Sequence, residues 1–313
     1  MLHARDARNV VAVVNAGSRR GAAAFDRTAE LLGQAGYDSL EMVPVRSGND
    51  LDASLAEAVA AGPDLLVVGG GDGTVSCAAG KVAGSATTLG VLPLGTANDF
   101  ARTLEMPLEP EAAVAALLAG SVVDVDLGRV NGRPYLNVAS LGLSVEVTEQ
   151  LTPGLKRRLG PVAYPVATLK AYRRHEPFRA RLEFPDHDHE PMDLDDLLQV
   201  GVGNGRHFGG GNTVAPNASV DDHTLDVLAI EKGRMHEHMS IARFLRSGRL
   251  VEHEKVHHVT TRRVRVTTEP ELSVNLDGEI AARTPATFEV EANAVRVVVP
   301  HGSRAARLDE PTP

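Results

Sequence analysis

The sequence has a single cysteine and lacks long runs of apolar residues. Cys77 is the only cysteine in 313 residues, so neither an internal disulfide nor a cysteine-based zinc site can form. No apolar run reaches the ~18 residues of a membrane helix, and the short run near the N terminus is too brief for a signal peptide. We therefore expect a cytoplasmic protein, with a peripheral position at the inner membrane face left open, that reaches any membrane lipid from solution.

Acidic residues outnumber basic ones, 41 to 32, and the basic ones are nearly all arginine. The chain has only five lysines, a net charge of −9 and a pI of about 5.7. This balance argues against bulk binding of nucleic acid. The length suits two domains of ordinary size, and the hydrophobic fraction of 43% is normal for a globular protein.

The first 125 residues alternate between apolar strands and amphipathic helices. Strands are predicted at residues 10–15, 40–45, 65–68 and 88–92, and helices at 22–36, 52–61 and 110–119. Asp50 or Asp52 is the expected cap of the second helix. This alternation predicts an α/β nucleotide-binding domain (residues 1–125) with a doubly wound parallel sheet, whose ligands bind at the carboxyl ends of the strands.

The pattern changes after residue 125. Short segments rich in Val, Leu and Thr are separated by Asn-Gly, Gly-Gly and Asp-Gly turns, which predicts an antiparallel β-sandwich domain over residues 126–300. Its last strand could return toward the first domain, and residues 301–313 are predicted to form a flexible tail. The acidic stretch 186–196 is interpreted as a solvated loop. Residues 155–174 predict a basic helix, which could dock on anionic membrane or be a solvated helix end at the domain junction.

The sequence GGGDGT at residues 69–74 follows the third predicted strand and opens a helix. Glycines allow a ligand to approach the backbone, and the free N–H groups of a helix N terminus bind phosphate. A carboxylate at Asp72 would repel a phosphate unless a cation lay between them. The turn therefore indicates phosphate together with Mg²⁺, and Thr74 supplies a hydroxyl.

Three further motifs follow, and each has a simpler structural interpretation. LGTANDFAR (residues 94–102) offers a second tight turn with Thr96, or merely a helix capped by Asn98 and Asp99. NGRHFGGG (residues 204–211), followed by acids at 221 and 222, indicates either a cation site with oxygen ligands or a surface hairpin. Asp277-Gly278 in LDGE is, by pattern alone, a hairpin turn.

Together these motifs identify a family resemblance. GGDGT, LGTANDFAR, NG-x-x-FGGG-x-x-x-AP-x-A and NLDGE, in this order, resemble the diacylglycerol kinase catalytic superfamily, and in particular its bacterial soluble lipid kinases. The resemblance runs from residue 15 to about residue 299. It implies an active site in the cleft between the two domains, ATP and Mg²⁺ as cofactors, and a lipid substrate met by peripheral contact at a membrane surface. A homodimer is left open.

The resemblance also implies residue roles. The ATP-binding residues would be Asn15, Ala16, Gly17, Ser18, Arg19, Ser47, Gly70, Gly71, Asp72, Gly73, Thr74, Val75 and Thr96. The catalytic base would be Glu279 or Asp277. A structural Mg²⁺ would be held by the carbonyls of Ser219 and Thr224 and by the side chain of Asp222.

The chain departs from the family pattern at three places. Ala16 replaces a proline, Ser76-Cys77 stands where the family has its glutamate after GGDGT-x-N, and His223 replaces the glycine of Asp-Gly-x-Leu-Asp. Two alternatives therefore stay open: an enzyme like NAD kinase, which also carries GGDGT, and a non-catalytic nucleotide or lipid sensor. A P-loop NTPase is disfavoured because no Gly-Lys-Ser/Thr follows the turn.

Overall fold

The computed structural model describes residues 3–17, 19–150, 163–205, 207–208, 212–213, 220–233, 241, 244 and 249–304. Ser18 and Ser219, which the resemblance assigns to the ATP and Mg²⁺ sites, lie outside these residues. So do the first part of the predicted basic helix and residues 305–313 of the predicted tail.

The N-terminal part is an α/β domain. Its parallel strands are β1 (Asn9–Asn15), β2 (Ser39–Val45), β3 (Leu65–Gly70) and β4 (Thr88–Pro93), in the spatial order β2-β1-β3-β4. The helices are α1 (Arg19–Gly33), α2 (Gly48–Ala60), α3 (Asp72–Val82), α4 (Asp99–Thr103) and α5 (Pro110–Ala119). Every residue of β3 and β4 is buried, as expected for central strands of a parallel sheet covered on both faces.

The C-terminal part is built mainly from antiparallel strands. They are β5 (Ser121–Val130), β6 (Arg133–Tyr135), β7 (Val138–Gly142), β8 (Phe178–Glu183), β9 (Met192–Gly203), β10 (His207–Phe208), β11 (Asn212–Thr213), β12 (Leu225–Glu231), β13 (Val256–Thr261), β14 (Arg263–Glu269), β15 (Ser273–Leu276), β16 (Glu279–Arg283) and β17 (Ala286–Val299). Helices α6 (Leu143–Gln150) and α7 (Ala163–Arg174) and two 3₁₀ turns (Ala4–Asp6 and Leu250–Glu252) complete the described elements. The predicted fold class, an α/β domain followed by a β-sandwich domain, is confirmed.

Strands β5 and β17 join the two parts. They pair with each other along most of their length, and Val297 of β17 lies beside Leu89 of β4. The C-terminal end of β17 packs in the core of the first domain, whereas Phe288 near its start belongs to the core of the second. One strand therefore contributes to both cores, which fixes the domains beside each other.

Two local predictions are wrong. Residues 192–196 of the acidic stretch belong to β9 rather than to a loop, because residues 192–194 and Leu197 pair with β8. Helix α2 begins after Ser47, whose Oγ accepts the Asp50 N–H at 3.3 Å, so the cap is Ser47 and not Asp50 or Asp52. Within the described ranges, no helix is both long enough and apolar enough to cross a membrane.

Candidate active site

The two glycine turns of the α/β domain touch each other. A Cβ atom on Gly95 would lie only 2.4 Å from the Cα of Gly71, so glycine is needed for the turns to approach this closely. Asp72 then links them, because its Oδ1 accepts the backbone N–H of Phe100 at 3.1 Å. GGGDGT and LGTANDFAR thus form one continuous surface at the carboxyl edge of the sheet.

The cap of helix α4 differs from the sequence prediction. Asn98 adopts a left-handed backbone (φ 52°) and makes no side-chain cap. Its amide instead holds Gly95, accepting the Gly95 N–H at 2.9 Å and donating to the Gly95 carbonyl at 3.1 Å. Asp72 supplies the capping carboxylate from the other turn.

Asp72 sits in a strongly negative environment. Burial raises the pKa of its carboxyl, and the nearby carboxylates of Asp99 and Asp277 add to the rise, while the backbone N–H groups of Phe100 and Asp99 oppose it. A divalent cation beside Asp72 would relieve this repulsion between carboxylates. Asp72 thus offers one carboxylate ligand to a Mg²⁺, although among the described residues it belongs to no cluster of three ligand side chains.

The LDGE motif forms the hairpin turn between β15 and β16. Asp277 and Gly278 both have positive φ (46° and 103°), as a two-residue type I′ turn requires, and Leu276 pairs with Glu279 across it. The hairpin interpretation and the site interpretation of this motif are thus compatible. The turn delivers two acids to the domain interface.

Asp277 is fixed by four hydrogen bonds. Its carboxylate accepts the backbone N–H groups of Leu136 (2.7 Å), Asn137 (3.0 Å) and Val138 (3.2 Å), and the Ser76 hydroxyl at 2.8 Å. Burial raises the pKa of Asp277, and these donors partly offset the rise. The Ser76 bond joins the first helix turn after GGGDGT to a turn 201 residues further along the chain.

Glu279 is the opposite case. Its side chain is exposed, and it makes no hydrogen bond or ion pair with any other residue that the structure describes. It nevertheless faces the same cleft as Asp277. Of the two acids, Glu279 is the one whose carboxylate has no bonding partner among the described residues.

The cleft between the domains has a volume of about 930 Å³. Seven of the predicted site residues line it: Asn15, Ser47, Gly71, Gly73, Thr74, Asp277 and Glu279. The structure therefore brings together residues from the ends of β1, β2 and β3 and from the LDGE hairpin, whereas no residue of LGTANDFAR lines the cleft.

Six other ATP-site predictions whose side chains the structure describes do not line the cleft: Ala16, Gly17, Gly70, Asp72, Val75 and Thr96. The side chain of Arg19 lies outside the described residues. Val75 is a core residue with 3% of its surface exposed, so only its backbone could meet a ligand. A Cβ atom on Gly17 would lie 2.7 Å from the Arg46 carbonyl oxygen. Gly17 therefore shapes the first turn, and Asp72 links GGGDGT to LGTANDFAR.

Eleven residues that line the cleft were not predicted as site residues, and five of them have polar or reactive side chains: Arg46, Asp52, Ser76, Cys77 and Arg133. Neither arginine is in an ion pair with another described residue, so both are available to an anion. Burial raises the pKa of the Cys77 thiol, and its Sγ lies 3.7 Å from an Asp52 carboxylate oxygen. Positions 76 and 77 were noticed only as departures from the family pattern.

The described residues of the predicted structural Mg²⁺ loop, Asp222 and Thr224, do not line the cleft. Asp222 Oδ1 accepts both the backbone N–H (3.0 Å) and the hydroxyl (2.9 Å) of Thr224. His223 turns toward the buried Asp126, with Nδ1 3.0 Å from Oδ1, and this hydrogen bond raises the pKa of His223. The described part of the loop is thus stabilised by its own side chains.

The fold and the cleft define a family, and comparison with known proteins agrees. Residues 9–130 match the diacylglycerol kinase catalytic domain, and residues 137–299 match the YegS C-terminal NAD kinase beta sandwich-like domain. The chain therefore belongs to the diacylglycerol kinase catalytic family, in its YegS-like branch.

Individual relatives are similar over most of their length. The "Probable lipid kinase YegS-like" of Pseudomonas aeruginosa (strain PAO1) is 40% identical over 80% of this chain and 82% of its own. That of Stenotrophomonas maltophilia (strain K279a) is 33% identical over 84% and 87%. The crystal structure of "a putative diacylglycerol kinase from Bacillus anthracis str. Sterne" superposes with a TM-score of 0.81 at 26% identity, covering 95% of this chain and 97% of that one.

Proposed function

We propose that this protein is a lipid kinase that transfers the γ-phosphoryl group of ATP to a hydroxyl of a lipid such as diacylglycerol. The observation that carries the proposal is the position of Glu279, an unpaired carboxylate lining the same cleft as Gly71, Gly73 and Thr74. Phosphoryl transfer needs positioning, neutralisation of charge and a group that accepts the hydroxyl proton. The cleft offers a residue for each of these tasks.

The nucleotide would lie on the glycine side of the cleft. Gly73 is exposed there, and a Cβ atom at this position would meet no described atom within 4 Å, which leaves room for a phosphate against the backbone. The backbone N–H groups that begin α3 favour negative charge. Bound Mg²⁺ would neutralise charge on the triphosphate, and Asp72 is the residue proposed to hold it, directly or through water.

The two acids of LDGE would have different tasks. Glu279 is proposed as the general base that accepts the proton of the lipid hydroxyl, an effect typically worth about 10²–10⁴-fold in rate. Asp277 is proposed as a positioning residue, since all of its bonds tie the turn to Ser76 and to the segment between β6 and β7. It would hold Glu279 opposite the nucleotide.

The experiment is a phosphotransfer assay with labelled ATP and a panel of acceptors: diacylglycerol, phosphatidylglycerol, sphingosine and NAD. We expect at least one lipid to be phosphorylated and NAD not to be. Labelling of NAD alone would favour the NAD kinase-like alternative. Nucleotide binding without phosphorylation of any acceptor would favour a non-catalytic sensor.

We further propose that helix α7 contacts the membrane. Its buried side carries Ala167 and Ala171. Exposed on the helix are Val166, Lys170, Arg173 and Arg174, spaced four, seven and eight residues from the first and so on one face. None of the three basic side chains is ion-paired with a described residue, and a basic face on an acidic protein suits an anionic lipid surface.

Binding to vesicles that contain anionic lipid tests this second proposal. The triple change Lys170→Gln, Arg173→Gln and Arg174→Gln should weaken binding, and added salt should do the same to the wild type. The matched control is Arg179→Gln, Arg181→Gln and Arg265→Gln, which removes the same charge from β8 and β14, where acidic partners surround it. Equal loss in both variants, or binding that ignores salt, would contradict the proposal.

A further inference from the structure

The loop that precedes β12 carries the clearest chain-specific feature outside the cleft. His223 has a left-handed backbone (φ 59°), a conformation that is unfavourable for a residue with a side chain and that glycine adopts freely. A histidine at this position must gain something from its side chain, and its contacts show what it gains.

The imidazole of His223 is bonded to a buried carboxylate. Asp126, with 1% of its surface exposed, lies in β5, and its Oδ1 is 3.0 Å from His223 Nδ1. The carboxylate also accepts the backbone N–H groups of His223 (2.7 Å) and Asn293 (2.9 Å). A buried carboxylate needs such partners or a cation, because burial without them is costly. Here the protein supplies them all.

The neighbouring acid of the loop is engaged as well. Asp222 would contribute the side-chain ligand of the structural Mg²⁺, yet its Oδ1 already accepts the N–H and the hydroxyl of Thr224. Asp221 lies close to His223 and Asp126, and one ligand atom from each of the three falls within 4.8 Å of the others. The imidazole therefore lies beside Asp126 and close to Asp221, as the hydrogen-bonding member of a cluster whose carboxylates would otherwise call for a cation.

We propose that the His223 side chain replaces a structural divalent cation in this protein, so that the loop is ordered by the His223–Asp126 pair and does not require Mg²⁺. With glycine at this position Asp126 would keep the two backbone N–H groups but lose the imidazole, and a cation would then take the place of the ring. With histidine the ring supplies the hydrogen bond, and its bulk excludes the ion.

The pair also connects to the candidate active site. Asn204 donates its side-chain N–H to the Asp126 carbonyl (3.0 Å) and to the Leu136 carbonyl (3.1 Å), and the Leu136 N–H bonds to Asp277. Order in the loop therefore supports the segment that holds the LDGE turn. The inference does not depend on the proposed kinase activity, because its test measures unfolding.

The experiment is thermal unfolding of the full chain without nucleotide, in EDTA and across a Mg²⁺ titration, for the wild type and for His223→Gly. Both proteins are also measured with Asp222→Asn added. For each protein, the decisive quantity is the rise in Tm with Mg²⁺ that is present with Asp222 and absent once Asp222→Asn is added. We expect this quantity to be zero in the wild type. In His223→Gly we expect a lower Tm in EDTA and a saturable rise of several degrees with Mg²⁺.

Three results would overturn the proposal. The first is an Asp222-dependent rise in Tm with Mg²⁺ that is as large in the wild type as in His223→Gly. The second is the absence of such a rise in Tm in His223→Gly. The third is stabilisation of the wild type, but not of His223→Gly, by Mn²⁺ or Zn²⁺, which would make His223 a metal ligand. If His223→Gly does not fold, His223→Asn replaces it; asparagine accepts the left-handed backbone and can donate to Asp126, so it should remain independent of Mg²⁺.

Discussion

Asp277 and Glu279 are two residues apart, yet replacing Asp277 should lower the stability of the protein, whereas replacing Glu279 should lower only its activity. Asp277→Ala removes the only acceptor shown for the backbone N–H groups of Leu136, Asn137 and Val138. Each buried N–H left without a partner costs about 1–3 kcal/mol. Because Asp277 lines the cleft, water can replace part of the loss, and we expect the free energy of unfolding to fall by about 3 kcal/mol.

Asp277→Asn is the milder variant of the same test. Its amide oxygen can still accept two of the donors, but its NH₂ group must face at least one N–H, so a loss of about 1–3 kcal/mol is expected. Glu279→Gln changes an exposed group that makes no bond within the described residues, and stability should stay within about 0.5 kcal/mol of the wild type.

Denaturant unfolding measures all three variants, and the phosphotransfer assay is run on the same preparations. Glu279→Gln should keep its denaturation midpoint while its kcat falls by about 10²–10⁴-fold. An Asp277→Ala protein as stable as the wild type would refute the reasoning, since it would show that the carboxylate does not hold the turn. A Glu279→Gln protein that is stable and fully active would refute the assignment of the base.

Other predictions concern the glycine turns and the acid stability of the first sheet. Gly95→Ala would place a Cβ atom 2.4 Å from the Cα of Gly71, so this variant should unfold at a lower denaturant concentration. A Cβ atom at Gly73 would meet no described atom within 4 Å, so Gly73→Ala should keep its stability but raise the KM for ATP. Backbone N–H groups of Asn9 and Arg8 lower the pKa of the Asp64 carboxyl. The ionised carboxylate therefore stabilises the folded protein fully at a pH above the ordinary pKa of Asp, and this stabilisation is lost as the pH falls through the lowered pKa. Asp64→Asn should therefore flatten the acid side of a stability–pH curve; an unchanged slope would contradict this.

The sequence was sufficient for the strands and turns that local chemistry determines. The apolar runs before GGGDGT and LGTANDFAR could only be buried strands, and Pro110 at the start of α5 marks that helix correctly. The Asp277-Gly278 pair predicts its own hairpin for the same reason. These features depend on residues that are neighbours in the chain.

The errors arise where the partner is distant in sequence. Asn98 has the composition of a helix cap, but Asp72, 28 residues earlier, takes that role, and no local pattern reveals it. The bond between Ser76 and Asp277 spans 201 residues, so the difference between the two LDGE acids was invisible before the structure. His223 was visible only as a substitution; its meaning depends on Asp126 in another strand.

The most direct test of the central claim is transfer of labelled phosphate from ATP to lipid by the purified protein, compared among the wild type, Glu279→Gln and a control, Glu271→Gln. Glu271 is a similarly exposed acid outside the cleft. The account predicts a labelled lipid with the wild type and the control, and loss of the label with Glu279→Gln while its unfolding is unchanged. Absence of labelled lipid with the wild type across the acceptor panel, or equal labelling by all three proteins, would contradict it.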